Sequence, residues 1–133
     1  MHEILFRGKR TDFNRWIEGY LYRLSEKLNP FIMLKNQYGM GFEVIPETIG
    51  QFTGLTDKNG KKIFDGDILQ TGTRMGYVIW NEGCFRFRWK NFDKYRGDFF
   101  KTCILTEYGS FEELKVIGNI QDNPEFLEEG GSE

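Results

Sequence analysis

The chain has 133 residues and a net charge of −2, from 18 basic and 20 acidic side chains. So small a charge gives no global field that attracts nucleic acid, and two cysteines are too few for a disulfide framework. No apolar run approaches the ~20 residues that span a bilayer, and the first residues lack the apolar core of a signal peptide. We therefore expect a soluble, intracellular protein with no membrane partner.

The composition predicts a mainly β protein. Aromatic residues make up 17% of the chain, and 16 residues are glycine. Aromatic side chains favour pleated, half-buried surfaces, while frequent glycines suit short strands separated by turns. Strands at near-regular spacing are typical of a small barrel or sandwich, and the length fits one domain or one domain with a small subdomain.

The first third of the chain predicts short strands over residues 4–7, 16–24 and 31–35. The second of them alternates, so that Trp16 and Tyr20 point to one face and Ile17 to the other. Neither face is cleanly polar, which predicts a strand that is partly covered on both sides. A fourth strand, over 43–45, should end at Pro46 because proline cannot donate to a strand ladder.

Residues 44–69 hold the densest pattern of turn signals in the chain. Pro46 suits the first position of a helix and Glu47 its positive N-terminal end, so one helical turn is expected here. An Asn-Gly pair and an Asp-Gly pair then predict two turns between short apolar strands. Three glycines should supply backbone angles that a Cβ would penalise: Gly54, Gly60 and Gly66.

The second half of the chain predicts a hairpin, with strands over 76–80 and 84–89 around an Asn-Glu-Gly turn. In the second arm, Phe85, Phe87 and Trp89 share one face, which should pack inward. The remaining predicted elements are a strand over 99–105, a helical turn over 110–114, a strand over 115–120 and an acidic tail.

Residues that could carry catalysis are few. The single histidine, His2, rules out triads and multi-histidine metal sites. Asp65 and Asp67 could share a divalent cation, but aspartates beside a glycine turn usually bind nearby backbone amides. A carboxylate hydrolase would need these two, Glu47 and Asp57 to meet in one pocket, and no nucleotide-binding glycine motif occurs. We therefore predict no enzyme activity, no metal and no small-molecule cofactor.

The most suggestive local chemistry lies in residues 86–101, which carry six basic and two acidic side chains, a local charge of +4. Basic groups neutralise phosphates and interleaved aromatics can stack on bases. The simpler interpretation is the solvated face of an amphipathic strand, and a protein interface is a further alternative. The candidate binding residues, which we call the basic strip, are Arg86, Arg88, Lys90, Lys94 and Arg96.

Four segments together carry a family resemblance. They are F-R-G-K near the start, W-I-E-G-Y-L after it, the whole of 44–69, and V-I-G-N-I-Q-D-N-P-E-F-L near the end. With these motifs the chain resembles the YopX family of phage and prophage proteins, found mostly in Gram-positive bacteria. The resemblance covers nearly the whole chain and is weakest over 71–110.

The resemblance implies a phage or prophage origin, and with it the cytoplasm of a bacterial host. It also implies a mainly β fold with an SH3-like barrel in the C-terminal part. The family has no established biochemical function or catalytic residues, so the resemblance brings no functional site with it. It adds an identity and a fold to the residue-level interpretation, but no chemistry.

The predicted fold is therefore mainly β, with a small N-terminal β piece, a C-terminal SH3-like barrel and one or two short helical turns. The predicted function is that of an accessory protein that acts through protein–protein contacts or self-assembly, since small β domains leave edges and apolar patches. The alternative is a nucleic-acid-binding β-barrel module that uses 86–101, an analogy from fold alone. The predicted divisions are 1–45 (N-terminal β subdomain), 46–69 (connector and first barrel strand), 70–121 (barrel remainder) and 122–133 (acidic, partly disordered tail).

Overall fold

The computed structural model describes residues 4–34, 39–72, 74–81, 83–89 and 114–127, and it confirms the predicted mainly β fold. The strands of this part of the chain form two antiparallel sheets, and two short 3₁₀ turns are its only helical segments. The strands are β1 Phe6–Lys9, β2 Trp16–Tyr22, β3 Phe31–Leu34, β4 Gly41–Glu43, β5 Gly50–Thr56, β6 Lys62–Phe64, β7 Asp67–Thr71, β8 Arg74–Asn81, β9 Cys84–Trp89 and β10 Lys115–Asn119.

The chain divides into two compact units, Met1–Gly54 and Leu55–Glu133. The first sheet has the strand order β4-β3-β2-β1-β5-β6, and the second has the order β10-β7-β8-β9. The chain passes from the first unit to the second within β5. None of the helical segments in the described ranges has the length and apolarity that crossing a membrane requires.

The register of β1 and β2 confirms the predicted alternation along β2. Lys9 lies directly opposite Trp16, and Arg7 lies opposite Glu18. Directly opposed residues share a face of an antiparallel sheet, so the two cations and the indole project to the same side. Tyr20 extends this face toward β3.

Two glycines let the N-terminal sheet pack closely. A Cβ on Gly19, in β2, would collide with the main-chain carbonyl of Met33 on the neighbouring strand. A Cβ on Gly8 would lie 3.1 Å from the Cβ of Val44, which is fully buried together with Ile32. These glycines belong to two of the sequence motifs, and close approach explains why a larger residue does not fit there.

The predicted helical turn after β4 is confirmed as a 3₁₀ turn, Pro46–Thr48. The Thr48 hydroxyl accepts a 2.9 Å hydrogen bond from the Lys9 amide and donates a 2.6 Å bond to the Ile45 carbonyl. Strand β5 follows at once and is the first arm of the hairpin that the Asn-Gly pair predicted, although its bounds were not predicted. Pairing with β1, at Gln51 opposite Phe6, makes this segment a strand.

The C-terminal unit is built around a buried cluster. The prediction that the aromatic face of β9 packs inward is confirmed for Phe85 and Phe87, which are 5% and 0% exposed. Leu55 and Val116 pack against the cluster from its edges. Its buried members are Ile63, Leu69, Val78, Phe85, Phe87 and Leu114.

The predicted turns of this unit are also present. The Asp-Gly pair turns the chain between β6 and β7, and the Asp67 carboxylate accepts a 2.7 Å hydrogen bond from the Phe64 amide. The prediction that three glycines adopt unusual backbone angles is confirmed, since their φ values of 92°, 81° and 96° lie in the left-handed region. They are Gly54, Gly60 and Gly66.

Some predictions fall on other parts of the chain. The strand over 99–105 and nearly all of the helical turn over 110–114 lie outside the described residues. At the start of the predicted tail the structure has a 3₁₀ turn, Pro124–Leu127. The Asn123 side chain joins this region to β10 by accepting a 3.2 Å bond from the Asn119 amide. The SH3-like barrel and the four-part division of the chain stay predictions.

Candidate binding surfaces

The structure describes part of the basic strip, on β9. Arg86 and Arg88 lie opposite Ile79 and Tyr77 of β8, on the face away from the buried phenylalanines. Both side chains are half-buried, and an Arg88 guanidinium N–H donates a 3.3 Å bond to the Tyr77 hydroxyl. Two of the five predicted residues therefore share one face. The other three lie outside the described residues: Lys90, Lys94 and Arg96.

Among the candidate catalytic carboxylates, Asp57 has the clearest role. It is 6% exposed, and its Oδ1 accepts hydrogen bonds from the amides of Asn59, at 2.8 Å, and Lys61, at 2.9 Å. Its Oδ2 accepts a 2.9 Å bond from the amide of Val116 on β10. The carboxylate thus closes the turn between β5 and β6 and fastens a strand that is remote in sequence.

The charge state of Asp57 follows from these contacts. Burial on its own raises the pKa of the carboxyl group, because it penalises the charged form. The three amide donors and the charge of Lys61 outweigh burial, so the pKa of Asp57 lies below its ordinary value. Asp57 is a charged structural anchor in the folded protein.

Two of the other candidate carboxylates, Asp67 and Glu47, have different surroundings. Asp67 is 1% exposed and accepts a hydrogen bond from the backbone amide of Phe64. Glu47 is exposed on its 3₁₀ turn. Across the described ranges, no group of three or more histidine, cysteine, aspartate or glutamate side chains is arranged to hold a metal ion. Asp67 therefore has the turn role that was predicted for an aspartate beside Gly66.

A surface that was not predicted is the loop between β2 and β3, residues 23–30, which we call the leucine loop. Leu24 and Leu28 are 68% and 50% exposed. The loop is nevertheless ordered by internal hydrogen bonds: an Arg23 guanidinium N–H donates to the Leu28 carbonyl at 2.9 Å, and the Lys27 amide donates to the Ser25 hydroxyl at 3.1 Å. The only sequence feature that could have indicated this surface is the presence of two leucines in a short polar segment.

Exposed apolar side chains concentrate in the N-terminal unit. In the described part of the chain, seven of the eight large hydrophobic residues that are exposed lie within Met1–Gly54, and the eighth is Trp80. Single exposed apolar residues are normal, and a contiguous patch of them is what marks an interaction surface; the leucine loop places two of them in one short segment. The seven are Ile4, Phe13, Tyr20, Leu21, Leu24, Leu28 and Met40.

The tip of the β1–β2 hairpin, residues 10–15, is the second surface that was not predicted. Arg10 donates from Nε and Nη2 to the two carboxylate oxygens of Asp12, at 2.8 and 2.7 Å. This hydrogen-bonded pairing raises the pKa of Arg10 and lowers the pKa of Asp12. The same guanidinium lies over the ring of Phe13, 4.8 Å from its centroid, and over Phe42, at 4.0 Å.

Strands β1 and β2, which this tip connects, carry two more cations and another aromatic ring next to it. The Arg7 guanidinium carbon lies 4.8 Å from the centroid of the Trp16 ring, and the Lys9 ammonium lies 5.7 Å from it. Cations over an indole are attracted by its quadrupole. The sequence signal for this region was a group of four basic residues with Phe13 and Trp16 inside ten residues, and no prediction was based on it.

Comparison with known proteins adds a family and a fold. Residues 5–128 match the profile of the YopX protein family. The crystal structure of protein EF1440 from Enterococcus faecalis is similar, with 28% sequence identity, a TM-score of 0.52, and coverage of 96% of this chain and 100% of that one. Among curated proteins, none matches the chain in sequence.

Proposed function

The chain belongs to the YopX family, and we propose that it is a non-enzymatic phage accessory protein that works by protein–protein contact, first of all with a second copy of itself. In this proposal it acts in the cytoplasm of the bacterial host and needs no cofactor. An SH3-like barrel in its C-terminal part belongs to the same proposal.

The observation that carries this proposal is the leucine loop. A loop that places Leu24 and Leu28 in water loses the free energy that burial would supply, about 1.5–3 kcal/mol for each fully buried leucine. The loop is ordered by its own hydrogen bonds, so little conformational entropy remains to be lost on association. In a two-fold dimer each contact occurs twice, so two leucines per copy contribute four.

Pairing at the β4 edge is a weaker route to self-association. Strand β4 lies at one end of the first sheet and has only three residues, Gly41–Glu43. So short an edge offers few hydrogen bonds to an added strand. Side-chain contact at the leucine loop is therefore favoured over pairing at this edge.

Sedimentation velocity at micromolar concentration tests the proposal. The unmodified protein should sediment as a dimer, and the double variant Leu24→Gln, Leu28→Gln should sediment as a monomer. The matched control is Glu26→Gln, Lys27→Gln, which changes two exposed polar residues of the same loop and should remain dimeric. A monomeric wild-type protein, or a leucine variant that stays dimeric, would overturn self-association through this loop.

Nucleic-acid binding by the basic strip is the second candidate, and the shared face of Arg86 and Arg88 supports it. Replacing both by glutamine should abolish salt-sensitive binding to single-stranded DNA or RNA while the fold is retained. The absence of such binding by the unmodified protein would remove this candidate.

A further inference from the structure

We propose that the tip of the β1–β2 hairpin, residues 10–15, and the leucine loop form one docking surface for a second copy of the chain. With Glu43, which joins them, we call these residues the two-loop surface. This inference rests on the proposed self-association and adds an aromatic anchor, Phe13, to the interface.

The two loops are not neighbours in an ordinary sheet. The hairpin tip precedes β2 and the leucine loop follows it, and β2 has seven residues. In a flat sheet the two ends of such a strand are about 20 Å apart. Their association therefore depends on a third segment that reaches both of them.

That segment is the end of β4 and the residue after it. On one side, the Thr11 amide of the hairpin tip donates a 3.1 Å hydrogen bond to the Glu43 carbonyl. On the other side, the Val44 amide donates a 3.0 Å bond to the carbonyl of Pro30, at the end of the leucine loop. Backbone groups of two successive residues thus bind the two loops, which places both loops at the same end of the N-terminal unit.

The side chain of Glu43 strengthens this connection. Its Oε2 accepts a 2.8 Å hydrogen bond from the side-chain amide of Asn29, in the leucine loop. Its Oε1 lies 3.4 Å from the Thr11 hydroxyl, a longer and weaker contact. Hydrogen bonds to a carboxylate are stronger than those between neutral groups. Glu43 is therefore the positioning residue of the two-loop surface.

Phe13 is the anchor that the hairpin tip brings to this surface. The ring is 67% exposed, and the Arg10 guanidinium lies 4.8 Å from its centroid. Arg10 is itself fixed by its two hydrogen bonds to Asp12 and by its position over Phe42. Aromatic side chains are enriched at interfaces, and a ring that is already held in place loses little entropy on association.

The size of the surface supports a contact that includes both loops. Stable protein interfaces use about 20–30 residues on each side, whereas the leucine loop has eight, 23–30. The hairpin tip and Glu43 add seven more, which nearly doubles the contact. Phe13 then joins Leu24 and Leu28, which are 68% and 50% exposed, as a third large apolar side chain.

The charge of the two-loop surface favours a second copy over a polyanion. It has four basic and three acidic side chains, a net charge of +1 (4 minus 3). So small a net charge attracts a nucleic acid weakly, and two copies of the same surface repel each other little when they meet about a two-fold axis. The basic residues are Arg10, Arg15, Arg23 and Lys27, and the acidic residues are Asp12, Glu26 and Glu43.

Sedimentation velocity over a dilution series tests the proposal through the dimer Kd of the full-length protein. Truncating one anchor weakens binding about 5-fold or more, and a two-fold dimer loses the anchor twice, so Phe13→Ala should raise the Kd roughly 30-fold. Glu43→Ala leaves the loops less ordered before association and should raise the Kd roughly 2- to 10-fold. Both variants should keep the circular dichroism spectrum of the wild type, because both residues are exposed.

The matched control is Met40→Ala, which removes another exposed apolar side chain of the same unit, 45% exposed, at the other end of β3 from the leucine loop. Its Kd should equal that of the wild type. If Leu24→Gln, Leu28→Gln dissociates while Phe13→Ala keeps the wild-type Kd, the inference fails and self-association through the leucine loop stands. A loss in Met40→Ala equal to that in Phe13→Ala would also overturn the inference. A monomeric wild type would overturn both proposals and leave the surface to a different partner.

Discussion

Replacing Asp57 by asparagine tests whether its carboxylate joins β10 to the β5–β6 turn. The carboxylate accepts from three backbone amides, two on Oδ1 and one on Oδ2. An asparagine side chain has nearly the same shape but one acceptor oxygen, so in either orientation at least one amide faces an N–H donor. The substitution therefore isolates the loss of an acceptor from any change in packing.

The expected cost follows from the burial of the site. A hydrogen bond to a charged group contributes about 1.5–3 kcal/mol, and leaving a buried donor without its acceptor has a cost of similar size. We expect Asp57→Asn to lower the free energy of unfolding by about 2 kcal/mol at pH 7. Glu125→Gln, the same chemical change at an exposed carboxylate of the same unit, should leave it unchanged.

The pH dependence has a definite sign. The pKa of Asp57 is lowered in the folded state, so its contribution is complete above the unfolded pKa of about 3.9. That contribution is lost as the pH falls from there through the folded pKa. The stability difference between wild type and Asp57→Asn should therefore be constant near neutrality and shrink below about pH 4, where a protonated carboxyl resembles the amide.

Urea denaturation followed by circular dichroism across this pH range measures the difference, and hydrogen exchange locates it. Exchange protection should fall most at the amides of Asn59, Lys61 and Val116. Wild-type stability of Asp57→Asn at pH 7 would refute the reasoning, and so would a stability difference that does not decrease in acid. Unchanged protection of the Val116 amide would refute the connection to β10 in particular.

Two further predictions concern packing. Gly19→Ala should destabilise the N-terminal unit by about 2 kcal/mol or more, because the new Cβ collides with the Met33 carbonyl. Gly8→Ala should lower the free energy of unfolding by less, because its new Cβ would contact a side chain at 3.1 Å. Hydrogen exchange of β2 and β3 amides measures both, and equal effects would contradict the steric argument. Phe87→Ala should destabilise the C-terminal unit by about 3–5 kcal/mol. Phe13→Ala, at an exposed ring, should leave the urea denaturation curve of the monomer almost unchanged. A comparable loss of stability in both variants would show that burial does not decide the effect of removing a phenylalanine ring.

The self-association and nucleic-acid proposals rest on surfaces that differ in how visible they were in the sequence. The basic strip was visible because Arg86 and Arg88 alternate with aromatic residues along one strand. Leu24 was predicted as the end of a strand and only 25–30 as a loop, and the two leucines gained meaning only from their exposure. The arrangement of the hairpin tip depends on the contact between Arg10 and Phe42, which are distant in sequence.

The sequence alone determined the mainly β class, the alternation of β2 and β9, the helical turn at Pro46 and the positions of the central turns. Each of these follows from interactions within a few residues, such as strand periodicity, the fixed φ of proline and the left-handed angles that glycine tolerates. Tertiary structure decided where β5 begins, because the first residues of Gly50–Thr56 pair with β1. It also decided that Asp57 binds Val116, 59 residues away, since only the folded chain brings a buried carboxylate and a distant amide together.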